Sequence, residues 1–495
     1  MKYISTRGSG EKLDSANAIL KGIADDGGLF APEDIPSIDL DFINNLTNLS
    51  YEERAKAILS LFLTDYTEEE IASCVERAYG GDKFDDVRRA PINILSDTAV
   101  LELWHGPTSA FKDMALQLLP ELMSVALKKT GEKAEILILV ATSGDTGKAA
   151  LEGFKDAEQI KIMVFYPNGG VSDMQRLQMA TQEGKNVKVV SVIGNFDDAQ
   201  TGVKQIFGDE KFNAALLKQN VKLSSANSIN WGRLVPQIVY YFSAYADLLK
   251  AKKINLGDKI DFSVPTGNFG DILAAYYAKL MGLPVGKLIC ASNANNVLTD
   301  FLKTGVYDKN RPFYKTITPS MDILISSNLE RLLYHITNDA AQVKNWMEEL
   351  YKTGRYDVGE KVLSKLKETF WADFTDDSGT KATIKSVYED ENTMIDPHTA
   401  VAFKAATEYK KMGGKNYTVV VSTASPYKFG RDALDAIGEK TDNLNDFEVL
   451  DLLFEKSKLS VPKGLARLKD AKILHNETVN KEQMADAVLN FVEKR

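Results

Sequence analysis

The sequence predicts an α/β fold built on parallel β-sheet, and three observations carry that expectation. From about Ala99 onward short apolar runs recur, each followed by a glycine-containing loop and then a helical pattern, the signature of βαβ units. The runs are apolar without alternation, as strands covered by helices on both faces should be. Two of the loops share one construction, in which a strand passes through glycine and small polar residues into a helix start.

In chain order, residues 1–95 read as an N-terminal cap of helical segments such as Tyr51 to Ala78, separated by turn-rich pieces like Asp25 to Pro36. The clearest strands are expected at Ala134 to Ala141, Lys161 to Pro167, Lys188 to Gly194, Ile260 to Thr266 and Tyr417 to Thr423. They assign residues 96–296 and 396–440 to an α/β core. Over 297–395 the strand signal fades and charged helical stretches such as Asp339 to Lys352 take over, which reads as a helical insertion. Residues 441–495 are rich in Lys and Glu and read as a C-terminal helical tail.

Composition narrows the class of function. The chain has 495 residues, enough at ~150 per domain for about three domains' worth of core. Its 60 basic and 69 acidic residues give a net charge of −9 with no clustered Lys/Arg tract, which argues against a nucleic-acid partner and against a membrane surface. The start, MKYISTRGSGEK, lacks the apolar stretch of a signal peptide, and no run reaches the ~18 apolar residues of a spanning helix. Cys74 and Cys290 show no metal-ligand spacing, and the four histidines His105, His335, His398 and His475 sit at unrelated intervals, so no metal site is expected. A reducing, cytoplasmic location fits this cysteine usage.

Four segments could carry chemistry. In Ile136 to Phe154 an apolar strand enters Thr142-Ser143-Gly144-Asp145-Thr146-Gly147 and a helix follows. Backbone amides, hydroxyls and the positive end of the helix suit a small anion such as a carboxylate. A nucleotide P-loop fails, because position 142 is Thr where Gly is needed and position 149 is Ala where Ser or Thr is needed. In Ile260 to Pro284 the junction Gly267-Asn268-Phe269-Gly270-Asp271 has the same construction and could hold a phosphate on amides alone, although a structural turn explains those five residues equally well. In Ala99 to Met123, Lys112 opens an amphipathic helix. Desolvation and the helix dipole would both disfavour its ammonium, making the amine a candidate nucleophile for Schiff-base chemistry; a surface lysine with a buried stem is the commoner outcome for such a residue. The segment Tyr417 to Phe429 is a late strand that ends in Ser422, Thr423 and Ser425 before Pro426, hydroxyls aimed toward the crevice where parallel-sheet ligands collect. His398 follows Asp396-Pro397 and reads as the first turn of a helix.

At this point the residues resemble a known family. Trp104-His105-Gly106-Pro107-Thr108 followed by Ala110-Phe111-Lys112-Asp113 is similar to the cofactor-lysine motif of the threonine synthases, pyridoxal-phosphate enzymes of the tryptophan synthase β-subunit-like fold. The resemblance continues through MKYISTRG, DGGLFAPE, ATSGDTG, NFDDAQ, SANSIN with Arg233, PTGNFGD and STASPYKF, covering residue 1 to about 430. It implies two parallel-sheet α/β subdomains around a cofactor cleft (PLP fold type II), with residues 130–212 forming a mobile subdomain that closes over the substrate.

The resemblance also implies roles. Lys112 would carry pyridoxal 5'-phosphate in Schiff-base linkage and move protons between Cα, Cβ and Cγ of the substrate. Gly267, Asn268, Phe269, Gly270 and Asp271 would hold the cofactor phosphate, Thr423 would face the pyridine nitrogen, and Asp145 would lie near the phenolic oxygen. Thr142, Ser143 and Thr146 would take the substrate carboxylate, and Asn227, Ser228, Asn230 and Arg233 the substrate phosphate. The implied reaction is O-phospho-L-homoserine plus water giving L-threonine plus phosphate, by a monomer or homodimer. A phospholyase releasing a keto acid from a phospho-amino acid is the nearest alternative, and a catalytically inactive binding or regulatory protein a remote one, disfavoured by the presence of Lys112. Ser109, Ser425 and Tyr427 depart from the family pattern and bear on substrate contacts rather than on the cofactor.

Overall fold

Two parallel sheets, each fed by apolar strands, organise the chain. The computed structural model describes residues 1–142 and 144–493, the side chain of Asp197 apart. Among the described residues the smaller sheet runs, edge to edge, Glu477–Asn480, Val187–Ile193, Ile160–Pro167, Glu135–Ala141, Val221–Ser224, with every pairing parallel. The strand Glu135–Ala141 shows why continuous apolarity is needed. Ile136, Ile138 and Val140 enter the main core with Leu151 and Phe154 of the helix Asp145–Phe154, while Leu137 and Leu139 enter a second core beneath Phe196–Gly208 and Met484–Glu493. Each such buried side chain contributes roughly 1.5–3 kcal/mol.

The larger sheet has the order Phe370–Phe374, Val285–Ser292, Ile260–Pro265, Tyr417–Ser422, Thr98–Glu102, Ile92–Ile94, parallel except for the last pair. The α/β class and the five expected strands therefore stand. Between the N-terminal cap and the core lies the helix Trp231–Lys250, apolar around nearly its whole circumference and buried accordingly. Tyr3 and Phe62 pack on Trp231, with ring centroids 5.3 and 5.6 Å away, and Arg54 reaches Asp247 at 2.7 Å.

The sequence pattern did not announce every strand. The cap, besides its helices Tyr51–Phe62 and Glu68–Tyr79, contains a three-stranded sheet of Tyr3–Ser5, Lys12–Leu13 and Phe30–Pro32. The insertion is largely helical, yet it pairs Val306–Asp308 with Arg355–Asp357 and supplies Phe370–Phe374 as an edge of the large sheet. The tail is helical over Asp446–Ser457, Lys463–Ala466 and Met484–Glu493, and it also supplies a strand that the sequence did not suggest. Leu450, Leu453, Leu465 and Leu468 pack with Leu434 and Tyr427 against the large subdomain, after which Glu477–Asn480 crosses over as an edge strand of the small sheet. The small subdomain thus also takes in Val221–Ser224 and residues 477–493, beyond the expected 130–212.

Candidate active site

Sheet order brings the expected segments together. The 267–271 loop, Thr423 and the loop leading to Lys112 follow the C-terminal ends of three neighbouring strands, Ile260–Pro265, Tyr417–Ser422 and Thr98–Glu102. The 142–147 loop follows Glu135–Ala141 in the other sheet. These ends face one another: Lys112 Nζ lies 4.0 Å from Asp145 Oδ2.

Lys112 is the first residue of the helix Lys112–Leu116. The chain before it is locked by Asp113, whose carboxylate accepts from Thr108 N (2.8 Å) and Thr108 Oγ1 (2.7 Å). Gly106 must lack a side chain, since a Cβ there would come within 2.5 Å of Asp113 Cβ. From the other side Phe111 N donates to Thr423 O (2.8 Å) and Ser425 N to Ser109 O (3.0 Å), so the lysine loop and the Thr423 loop run as one unit.

Burial sets the electrostatics, with charges correcting it. Desolvation lowers the Lys112 ammonium from its ordinary value; Asp145 opposes this, and Lys428 and Arg233 push further down. Asp145 would be raised by burial, but Lys428 (Nζ to Oδ1, 2.8 Å), Lys112 and Gln175 (Nε2 to Oδ1, 3.1 Å) outweigh it and hold the carboxyl well below its usual range. Asp113 and Asp271 go the other way, each pushed up to about 6 by burial. Asp271 accepts from Tyr240 and Tyr241 on Oδ1 and leaves Oδ2 unpartnered.

The 267–271 loop is fastened from behind. Ser326 Oγ donates to Gly267 O (2.8 Å), Asn328 N to Asn268 O (3.0 Å), and a Cβ on Gly267 would stand 2.7 Å from Ser320 O. Phe269 takes the left-handed conformation (φ 65°) and turns the chain into the helix Gly270–Met281. The backbone N–H groups of Asn268, Phe269, Gly270 and Asp271 then find no acceptor among the described residues. Four unsatisfied amides at a helix start form an anion cradle.

The 142–147 loop is tied internally. Thr142 Oγ1 accepts from Gly144 N and Gly147 N, both 3.0 Å, which leaves the amides of Asp145 and Thr146 without an acceptor among the described residues. Ser143 lies outside the described residues. Arg233 is buried, donates Nη1 to Ala226 O (2.6 Å) and has no partner for Nε among the described residues; burial pushes it down to about 10. Asn227 is exposed, and Ser228 sits beside Ser327 (Oγ to Oγ, 3.4 Å), whose hydroxyl also reaches Asn268 Oδ1 (3.4 Å). Asn230 serves the fold. It is fully buried, with its Oδ1 capping Gly232 N (2.8 Å) and its Nδ2 held by Ile19 O (2.9 Å).

Sequence reasoning missed two contributors and read a third, His398, only as a helix turn. Lys428 sits in a quoted motif, but nothing in the sequence marks its ammonium as buried. Ser326 to Asn328 come from the insertion, in a stretch without periodicity. Asp396 and His398 form a buried pair (2.7 Å), and His398 Nε2 accepts from Ser320 N (3.3 Å), behind Gly267. Volume alone would mislead: a cavity of about 530 Å³ lies between the cap and the insertion, lined by residues such as Leu29, Tyr307 and Leu350, with neither Lys112 nor the 267–271 loop in its wall.

Comparison with known proteins agrees with this geometry. Residues 2–79 match the family described as Threonine synthase N terminus, and residues 99–368 the family described as Pyridoxal-phosphate dependent enzyme. Threonine synthase of Saccharomyces cerevisiae is 37% identical over 500 residues, covering 95% of this chain and 93% of that protein. The chain belongs to the threonine synthase family. The crystal structure of PLP-bound threonine synthase from Brucella melitensis is 38% identical and superposes with a TM-score of 0.89 over the full length of both chains. Threonine synthase-like 1 of Homo sapiens is 40% identical over 451 residues; the match covers 88% of this chain and spans 60% of the length of that relative.

Family membership makes pyridoxal 5'-phosphate the cofactor, and the residues fit it. The site offers a lysine amine disfavoured as an ammonium, four free amides for a phosphate, and Thr423, whose hydroxyl makes no hydrogen bond among the described residues. No helix among the described residues is long and apolar enough to cross a membrane.

Proposed function

We propose that the protein converts O-phospho-L-homoserine and water to L-threonine and phosphate. One observation carries the reading: Lys112 and Asp145, at helix starts that follow opposite sheets, meet at 4.0 Å in a site whose 267–271 loop presents four amides with no acceptor among the described residues. When bound, pyridoxal phosphate supplies an electron sink for carbanions at the substrate's Cα and Cβ. The protein supplies anchorage, orientation and proton movement.

In this reading Lys112 carries the cofactor, and the amides of residues 268–271 hold its phosphate. Thr423 would present a neutral hydroxyl to the ring nitrogen, and Asp145 would stand by the phenolic oxygen. The amine of Lys112, whose ammonium form burial disfavours, removes and returns protons at Cα, Cβ and Cγ. Phosphate leaves from Cγ and water adds at Cβ, so the atoms of phosphohomoserine plus water equal those of threonine plus phosphoric acid. The amides of Asp145 and Thr146 suit the substrate carboxylate, with Thr142 shaping that loop. Arg233 brings a buried cation with a free Nε to the substrate phosphate, with Ser228 and Asn227 at the rim. The small subdomain closes over the substrate, since water must be excluded while phosphate leaves. Buried free thiols at Cys74 and Cys290 accord with a reducing, cytoplasmic setting.

The test is incubation of the purified protein with phosphohomoserine and cofactor. Threonine and inorganic phosphate should form in equal amounts. Phosphate with 2-oxobutyrate in place of threonine would turn the assignment to a phospholyase, and no turnover to a binding protein.

A further inference from the structure

Lys428 is buried, its side chain only 2% exposed, in the turn Pro426–Phe429 that follows the strand Tyr417–Ser422. Its ammonium has two acceptors, Asp145 Oδ1 at 2.8 Å and Thr108 O at 2.9 Å. It therefore ties together the loop bearing Thr423, the loop that leads to Lys112 and the helix start in the small subdomain. Asp145 is shared unequally. Its Oδ1 receives Lys428 and Gln175, while its Oδ2 faces Lys112 at the looser distance of 4.0 Å.

We propose that Lys428 is a positioning residue for Lys112, holding the Asp145 carboxylate by its far oxygen so that it does not close into a full ion pair with the Lys112 amine. The proposal rests on the reading of Lys112 as the cofactor-bearing lysine. A carboxylate that paired tightly with Lys112 would hold that amine as an ammonium, useless as a nucleophile or base. Burying a second ammonium beside it satisfies the carboxylate elsewhere and adds like-charge repulsion against protonation of Lys112. Lysine suits the position because its compact ammonium can reach a carbonyl and a carboxylate together on a flexible stem. The other charged groups around Lys112 are Arg233 from the helix Trp231–Lys250, Asp271 from Gly270–Met281, and Asp113 from its own helix. Arg233 opposes protonation of Lys112, as Lys428 does, and Asp113 favours it. Asp271 already accepts from two tyrosines.

The experiment uses the full-length chain freed of cofactor. Trace labelling with acetic anhydride between pH 6 and 11, followed by mass spectrometry of the Lys112 peptide, gives the midpoint at which that amine becomes reactive. Lys428→Met, which keeps the stem and drops the charge, should raise the midpoint by about one pH unit. Lys428→Arg should restore most of the shift, and Asp145→Asn should lower the midpoint below that of the parent. A Lys428→Met protein with the parent's midpoint would overturn the proposal. Should Lys428→Met lose its cooperative melt, the remaining pair decides: an unchanged midpoint in Asp145→Asn, or a raised one in Lys428→Arg, would overturn it equally. Failure of the cofactor reading is distinct, because it shows in the parent as a protein that takes up pyridoxal phosphate without gaining visible absorbance, whatever the labelling midpoints.

Discussion

Two loops of similar composition, one after each sheet, are held in opposite ways. The 267–271 loop is braced from behind by Ser320, Ser326 and Asn328 of the insertion, and among the described residues no side-chain cation hydrogen-bonds to it. The 142–147 loop is knotted on its own Thr142 and reaches the rest of the site through charge, with Asp145 between Lys428 and Lys112. A loop fixed by backbone contacts suits a group that stays bound through many turnovers. One fixed by ion pairs across two subdomains suits a group that enters and leaves, because ion pairs reform without repacking a core.

The largest effect tests the point where the loops meet. Lys112→Ala should lose the visible absorbance of the bound cofactor, which borohydride abolishes only in the parent, and turnover should fall by at least ~10³-fold. Phosphohomoserine turnover at the parent rate in that variant would end the assignment.

Next come substitutions that should separate the loops. Gly267→Ala forces a Cβ against the backbone oxygen of Ser320, so the braced loop has to shift. At a cost of about 1–3 kcal/mol, cofactor affinity measured by titration should drop ~10–100-fold. Thr142→Val orphans two amides and loosens the knotted loop. Its KM for phosphohomoserine should rise by about tenfold while cofactor affinity stays within about twofold. Equal damage to both constants by both variants would erase the distinction.

The pH dependence of stability should differ in sign between the loops. Asp271, raised from 3.8 to about 6, favours the native state at low pH, and that contribution is lost as pH rises through about 6. Asp145, held below its ordinary value, favours the native state above 3.8 and loses that contribution as pH falls. Thermal melts of the cofactor-free chain should therefore show Asp271→Asn gaining on the parent between pH 4 and 7, by about 2–3 kcal/mol at most. Asp145→Asn should be destabilising at pH 7 and progressively less so below pH 4. The smallest effect belongs to Tyr427, one of the family departures. Its hydroxyl bonds Leu459 O, on the tail side of the turn. Tyr427→Phe should cost about 1 kcal/mol in a denaturant titration and leave kcat/KM as it is.

What could be read from the sequence followed burial. Glu135–Ala141 was legible because a strand covered on both faces must be apolar at every position. Glu477–Asn480 was not, since an edge strand with one neighbour and half-exposed residues carries no such demand. The glycine loops were legible because close backbone approach restricts the residue type. Lys428 was not, since one letter describes both a lysine in water and a lysine between a carboxylate and a carbonyl. The capping role of Asn230 was not legible either, because a polar residue beside a helix start serves a cap as readily as a ligand.

The crossing of Glu477–Asn480 into the small sheet has a consequence for how the protein comes into being. The strand Val187–Ile193 has backbone groups that stay unpaired until residue 480 has been synthesised, so its sheet keeps an open edge through most of translation. Open edges recruit strands from other chains. A nascent or truncated chain that lacks residues 477–480 is thus exposed to pairing at a border that Glu477–Asn480 covers in the folded protein.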